Sequence, residues 1–373
     1  MMRVVFAPDS FKGSVSAAAA ARALAAGWRQ VDPDVDAVLR PMADGGEGTA
    51  AAFLDAVPGA RRIPVVVPAP APGLRPVSTS WVLLPPDPAA PGGTAVVDLA
   101  STAGIELFGR DLDPWSASSF GFGVAIAAAL DHGVSRLVLG IGSSASTDGG
   151  AGVLAALGAR IDVGTADADS PGTRGAAGLG AIRAIDLTPV RAAPPGGVVV
   201  LTDVTHPLLG ERGAAHVFGP QKGFAPQDLP AVDDALRRYA ALFDLDPRAP
   251  GAGAAGGVGF ALAAWGAELV PGAAAVADLI GVDAAAASAA WVVTGEGSFD
   301  AQSAAGKVPA LIAARSASPV ALVAGRITAD ADTSAFAATL SLSAIAGSAE
   351  EAMRRPEHWL AEAGRRLARA AVR

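Results

Sequence analysis

Short apolar runs alternate with alanine-rich stretches along this chain, and the alternation predicts strands and helices in turn. Val4-Val-Phe6 reads as a strand ahead of a helix from Ala17 to Trp28, and Arg136 to Leu139 reads as a strand ahead of a helix over Val153 to Leu157. Val198 to Leu201, Ala290 to Thr294, Val320 to Val323 and Thr339 to Leu342 are predicted as further strands. Strands that alternate with helices build a parallel or mostly parallel sheet with helices on its faces. The exception is Ile63 to Gly93, rich in Pro and Val and containing Val77-Ser-Thr-Ser-Trp-Val-Leu-Leu84, which reads as antiparallel structure in place of another βα unit.

These breaks organise the chain. A domain change is expected near residue 60, and a second composition break follows Asp283. The predicted fold class is α/β with two α/β domains. Segments 1–60 and 284–373 form a discontinuous domain with a Rossmann-like or flavodoxin-like parallel sheet, and 61–283 form an inserted, mixed α/β domain. The cleft between them is the expected active site. Pro247 to Gly257 is read as a flexible loop.

Composition narrows the function. A 51% hydrophobic content over 373 residues supplies a large core, while no uncharged run approaches the roughly 20 strongly apolar residues of a membrane span. The start Met-Met-Arg-Val-Val-Phe shows no leader pattern, so cytoplasmic residence is expected. With no Cys there are no disulfides or thiolate ligands, and oxygen donors remain for any metal. A net charge of −8 argues against nonspecific nucleic-acid binding. An anionic substrate would therefore need cations gathered locally.

Candidate chemistry lies in loops at strand ends. Gly140-Ile-Gly-Ser-Ser-Ala-Ser-Thr-Asp148-Gly-Gly-Ala-Gly152 puts one carboxylate in a run of small residues between a strand and a helix, a pattern suited to a phosphate and its metal. Lys12 lies in Ala7-Pro-Asp-Ser-Phe-Lys-Gly-Ser14 before a helix that Ser14 or Ser16 could cap. Asp44 and Glu47 flank two glycines in Pro41-Met-Ala-Asp-Gly-Gly-Glu-Gly-Thr49; they would share a face if a helix began there, and in a loop they could converge on a cation or substrate hydroxyls. Asp203 follows the strand Val198 to Leu201, and Lys222 lies in a glycine-bounded turn. Glu296 and Asp300 bracket another turn, with Gly306-Lys307 leading into a helix. That segment lacks the Ser or Thr of a P-loop. Gly140-x-Gly142-x-x-Ala145 follows a strand and keeps a dinucleotide-binding reading open, so an NAD(P)-dependent hydroxy-acid dehydrogenase is the alternative function. A non-catalytic sensor would need a partner-binding or DNA-binding module, and none is evident.

Taken together, Ala7-Pro-Asp-Ser-Phe-Lys-Gly13, Pro41-Met-Ala-Asp-Gly-Gly-Glu-Gly-Thr49, Phe218-Gly-Pro-Gln-Lys-Gly223, Gly251-Ala-Gly-Ala-Ala-Gly-Gly257 and Thr294-Gly-Glu-Gly297, with Asp300, Gln302, Gly306 and Lys307, closely resemble bacterial glycerate kinases. The resemblance implies a phosphotransferase that uses ATP and Mg²⁺ to convert D-glycerate to 2-phosphoglycerate or 3-phosphoglycerate, with small molecules as its only partners and a monomer or homodimer as its state. Asp203, then Asp148, are the expected bases and Mg²⁺ ligands, and Lys12 neutralises phosphate or carboxylate. Binding is expected at Ser10, Lys12, Asp44, Gly45, Gly46, Glu47, Gly142, Ser143, Ser144, Lys222, Gly256, Gly257, Glu296, Asp300 and Lys307.

Overall fold

The computed structural model describes residues 1–164, 174–301 and 307–372. In chain order its strands are β1 (Arg3–Pro8), β2 (Asp36–Leu39), β3 (Arg61–Val67), β4 (Val77–Leu84), β5 (Thr94–Asp98), β6 (Arg136–Gly140), β7 (Arg160–Asp162), β8 (Ala184–Asp186), β9 (Val198–Leu201), β10 (Glu268–Val270), β11 (Trp291–Phe299), β12 (Val320–Ile327) and β13 (Ala338–Ser341). The predicted strand at Thr339 to Leu342 stops at Ser341, where Leu342 opens a helix. The chain divides into two compact units, one of Met1–Asp44, Ala51–Pro58 and Ala273–Arg373, the other of Gly45–Ala50 and Gly59–Gly272.

The first unit is a five-stranded parallel sheet in the order β13-β12-β11-β1-β2. Fully buried Val4, Phe6, Val293 and Val323 put near-continuous apolar runs in its central strands, as a sheet covered on both faces requires. Ser16 caps α1 (Ala17–Arg29) by accepting from the Ala19 N–H at 3.3 Å. This helix lies against the C-terminal helix Pro356–Ala371 backbone to backbone. A Cβ on Gly27 would fall 1.8 Å from the Ala361 carbonyl oxygen, and one on Gly364 2.1 Å from that of Leu24.

The second unit holds a mixed six-stranded sheet, order β10-β9-β6-β5-β4-β3. β5, β6, β9 and β10 run parallel, whereas β3 and β4 join antiparallel, as the valine- and proline-rich segment predicts. Its core runs from Trp81 and Val97 through Phe122 and Leu139 to Val258. A second cluster gathers Leu236, Tyr239 and Phe260.

Candidate active site

The sequence-derived residues fall into two groups, one in each unit. In the first unit β1 and β11 are neighbours, with Ala7 opposite Thr294 and Pro8 opposite Gly295, so both chains leave the sheet side by side at their carboxyl ends. This is where ligands bind in open α/β sheets. The Asp9 N–H donates to the Gly295 carbonyl at 2.8 Å, and the Thr294 hydroxyl to that of Ala7 at 2.9 Å. Asp9 accepts from the Ser10 N–H at 2.6 Å. Burial, then the charge of Asp44, with a smaller push from Glu296, raises the Asp9 carboxyl to about 8 against the opposing Ser10 N–H and Lys12 ammonium. Glu296 is buried in β11, Asp44 and Lys12 are exposed, and Asp300 is half-buried just past the strand. Lys307 is exposed at the start of the helix Val308–Arg315, while Gln302 and Gly306 lie outside the described residues. The sequence reading gave Asp9 no role, although it is the first residue beyond a central parallel strand.

In the second unit the turn Gly45–Thr49 lies over the carboxyl ends of β5, β6 and β9. The Gly142 N–H donates to the Gly45 carbonyl at 3.0 Å. Glycine is required on both sides of this approach: a Cβ on Gly45 would meet the Leu201 oxygen at 2.3 Å, and one on Gly142 would meet the Gly46 Cα at 2.5 Å. The Thr49 hydroxyl donates to the Gly46 carbonyl at 2.8 Å. The helix α2 (Thr49–Ala56) begins only there, so the face-sharing argument for Asp44 and Glu47 does not apply. Asp203, two residues past β9, is exposed, and its Oδ1 accepts from the Gly272 N–H at 2.9 Å.

The glycine loop behaves differently from the phosphate cradle expected of it. Gly142 and Ser143 are half-exposed, but Ser144 through Gly150 are buried. Its glycines serve close packing: a Cβ on Gly149 would meet the Tyr239 ring at 2.7 Å, and one on Gly150 would meet the Ala261 Cβ at 2.4 Å. The following helix spans only Ala151–Ala156. Asp148, expected as a base and metal ligand, is 1% exposed. One of its oxygens accepts from the Ser119 N–H at 2.8 Å and the Ser119 hydroxyl at 2.9 Å, and the other from the Gly150 N–H at 3.1 Å. A carboxylate so engaged ties the loop to the start of the helix Phe120–Asp131.

Lys222 is likewise internal. It is 3% exposed and donates to the Ser144 hydroxyl at 2.8 Å and the Ser146 carbonyl at 2.5 Å. Burial pulls its ammonium down to about 7, with Asp148 opposing. It braces the loop from within, at a position where binding was expected. Gly256 and Gly257 complete that brace, since a Cβ on Gly256 would fall 2.2 Å from the Ser146 oxygen and one on Gly257 2.6 Å from the Gly149 Cα. Ala254–Gly257 is a packed 3₁₀ turn with Gly253, Ala254, Gly256 and Gly257 buried, which corrects the flexible-loop reading of this stretch. Asp98, at the end of β5, is a buried carboxylate that the sequence reading missed. It is 5% exposed, and both oxygens accept from the Ala50 N–H, at 2.9 and 3.1 Å.

Comparison with known proteins bears on the family of the chain. Residues 4–372 match the model of the glycerate kinase family. The chain is 38% identical over 343 residues to the glycerate 2-kinase of Escherichia coli K12, covering 88% of this chain and 86% of that one. It is 36% identical over 342 residues to the glycerate kinase of Bacillus subtilis 168, covering 89% and 87%. A crystal structure described as glycerate kinase 2 from Salmonella typhimurium LT2 superposes with a TM-score of 0.83 at 36% identity, over 99% of this chain and 98% of that one. These matches give the dehydrogenase alternative no support, and the enzyme class is that of a kinase. By length of match, identity and fold, the chain belongs to the glycerate kinase family.

Proposed function

We propose that this chain transfers the γ-phosphoryl group of ATP to the 2-hydroxyl of D-glycerate, giving 2-phosphoglycerate and ADP, with Mg²⁺ as companion ion. The carrying observation is the convergence of Gly45–Thr49, Gly142 and Asp203 at the carboxyl ends of β5, β6 and β9 in a chain of this family. The glycerate 2-kinase name of the E. coli relative supports the 2-product. Phosphoryl transfer asks mainly for positioning and charge neutralisation. The substrate hydroxyl oxygen attacks the γ-phosphorus as the bond to the bridging oxygen of ADP breaks, and the hydroxyl proton passes to a carboxylate.

Two carboxylates suit that proton. Asp203 is exposed at a strand end with its Oδ1 accepting from a backbone N–H. Asp9, raised to about 8, is matched in affinity to a proton taken near neutral pH. Lys12, exposed beside Asp9, supplies positive charge toward a phosphate or carboxylate.

Magnesium is bound through one or two carboxylates plus substrate phosphates, not by an all-protein cage. Among the described residues no cluster of three or more His, Cys, Asp or Glu side chains forms such a cage. Asp203, exposed at a strand end, fits as the protein's ligand better than Asp148, which is 1% exposed and already accepts from N–H and hydroxyl donors. When bound, the ion neutralises charge on the phosphate oxygens. A coupled ADP-release assay on D-glycerate, with phosphorus NMR of the product, tests the proposal. No ADP above background, or a 3-phospho product, overturns it in whole or in part.

A further inference from the structure

We infer that Asp98 is a positioning residue, which sets the Gly45-Gly46-Glu47 turn on the strand ends by holding the first turn of α2 through the Ala50 N–H. The first N–H groups of a helix have no acceptor within the helix. Here the Thr49 N–H reaches the Gly46 carbonyl at 3.4 Å, whereas the Ala50 N–H is taken by a carboxylate 48 residues away in sequence. That carboxylate is itself fixed. It ends the buried strand β5, where Asp98 lies opposite Gly140 of β6, the Leu99 N–H donates to the Gly140 carbonyl at 2.8 Å, and the Thr102 hydroxyl donates to the Asp98 carbonyl at 3.1 Å. Gly140 leaves room for it, because a Cβ there would lie 3.1 Å from the Asp98 Oδ1.

The turn is thereby pinned at both ends, at Gly45 by the Gly142 N–H and at Ala50 by Asp98. Glu47 between these pins is exposed. Burial, with Glu47 adding repulsion and the Ala50 N–H opposing, raises Asp98 to about 7, which places the Glu47 charge close to the same carboxylate. Asp98 is too enclosed to meet a substrate, so its effect on the reaction passes through the turn. This inference rests on the proposed function for its kinetic half only.

The test uses the full-length protein labelled with ¹⁵N-alanine. In the wild type the Ala50 amide exchanges with solvent at least a hundredfold more slowly than an unstructured amide; exchange near the unstructured rate overturns the inference without any variant. Asp98→Ala speeds Ala50 exchange at least tenfold and raises the KM for D-glycerate at least tenfold, with the KM for ATP within threefold. Asp98→Asn, which keeps an acceptor of the same shape, holds both within about threefold of wild type. Equal losses in the two variants, or unchanged exchange in Asp98→Ala, would sink the inference. A wild type that leaves D-glycerate untouched removes the proposed function, while the exchange result still decides the role of Asp98.

Discussion

Gly142→Ala isolates the seat of the Gly45–Thr49 turn. Gly142 does not have a positive φ, so alanine suits its backbone, and the whole effect comes from one methyl group. That methyl would lie 2.5 Å from the Gly46 Cα, where ordinary contact begins at 3.4 Å, so the turn must retreat by about 0.9 Å (3.4 less 2.5). Its neighbours are the Gly46 N at 3.2 Å and the Gly45 carbonyl at 3.3 Å, backbone atoms that no rotamer change can remove. Misplacing a binding element by about 1 Å costs roughly 10²-fold in rate. Overpacking of this kind destabilises by about 1–3 kcal/mol, a fall in Tm of roughly 2–12 °C for a unit of this size. The assay is kcat/KM for D-glycerate by coupled ADP release, with thermal melting alongside. Gly180→Ala is the control, because its Cβ enters open space. If Gly142→Ala matched Gly180→Ala in both measurements, the close seating of the turn would have no bearing on function.

Further expectations follow from the same geometry. Asp203→Asn keeps an acceptor for the Gly272 N–H, so the fold should persist while kcat drops about 10²-fold; near-normal kcat in a folded variant reduces Asp203 to an acceptor for that backbone N–H. Lys12→Ala, at an exposed position, should leave Tm within about 1 °C and lower kcat/KM at least tenfold, and unchanged kinetics would make Lys12 a plain surface charge. Turnover should require Mg²⁺ and favour D- over L-glycerate, so equal rates on both enantiomers or activity in excess EDTA would contradict the site. For Asp98, a folded-state value of about 7 against 3.8 means that the folded chain holds a proton the unfolded chain has released. Its stabilising contribution is complete below about pH 4 and is lost as pH rises through 7, on the order of 4 kcal/mol in all. Asp98→Asn should therefore flatten the dependence of Tm on pH between 4 and 7; parallel wild-type and variant curves would deny the raised value.

Periodicity in the sequence located the strands at residues 4, 136, 198, 291 and 320, because an apolar run bounded by turn residues is local information. The antiparallel arm at β3 and β4 was legible for the same reason. What lay out of reach was the purpose of the glycines. A glycine run reads alike whether it opens toward a phosphate or admits the ring of Tyr239, and only the tertiary neighbour of the absent Cβ decides. The burial of Lys222 was equally out of reach, since no local pattern shows that Ser144 and Ser146, more than 70 residues earlier, would enclose its ammonium. Asp98 had no motif around it. Its importance comes from β5 ending beside β6, a pairing that sequence spacing does not encode.

The place of β1 between β11 and β2 in its sheet has a consequence for synthesis on the ribosome. β2 follows β1 closely in the chain and can join it soon after both are made, but the other neighbour of β1, β11, begins only at Trp291. At about 5–20 residues per second, roughly a quarter of a minute to a minute passes with one edge of β1 open. The core of the second unit, by contrast, comes from the continuous stretch Gly59–Gly272 and can close during that wait. Nascent chains halted before Trp291 should thus carry a folded middle and a β1–β2 pair with one open, aggregation-prone edge, so that aggregation of such chains starts at β1.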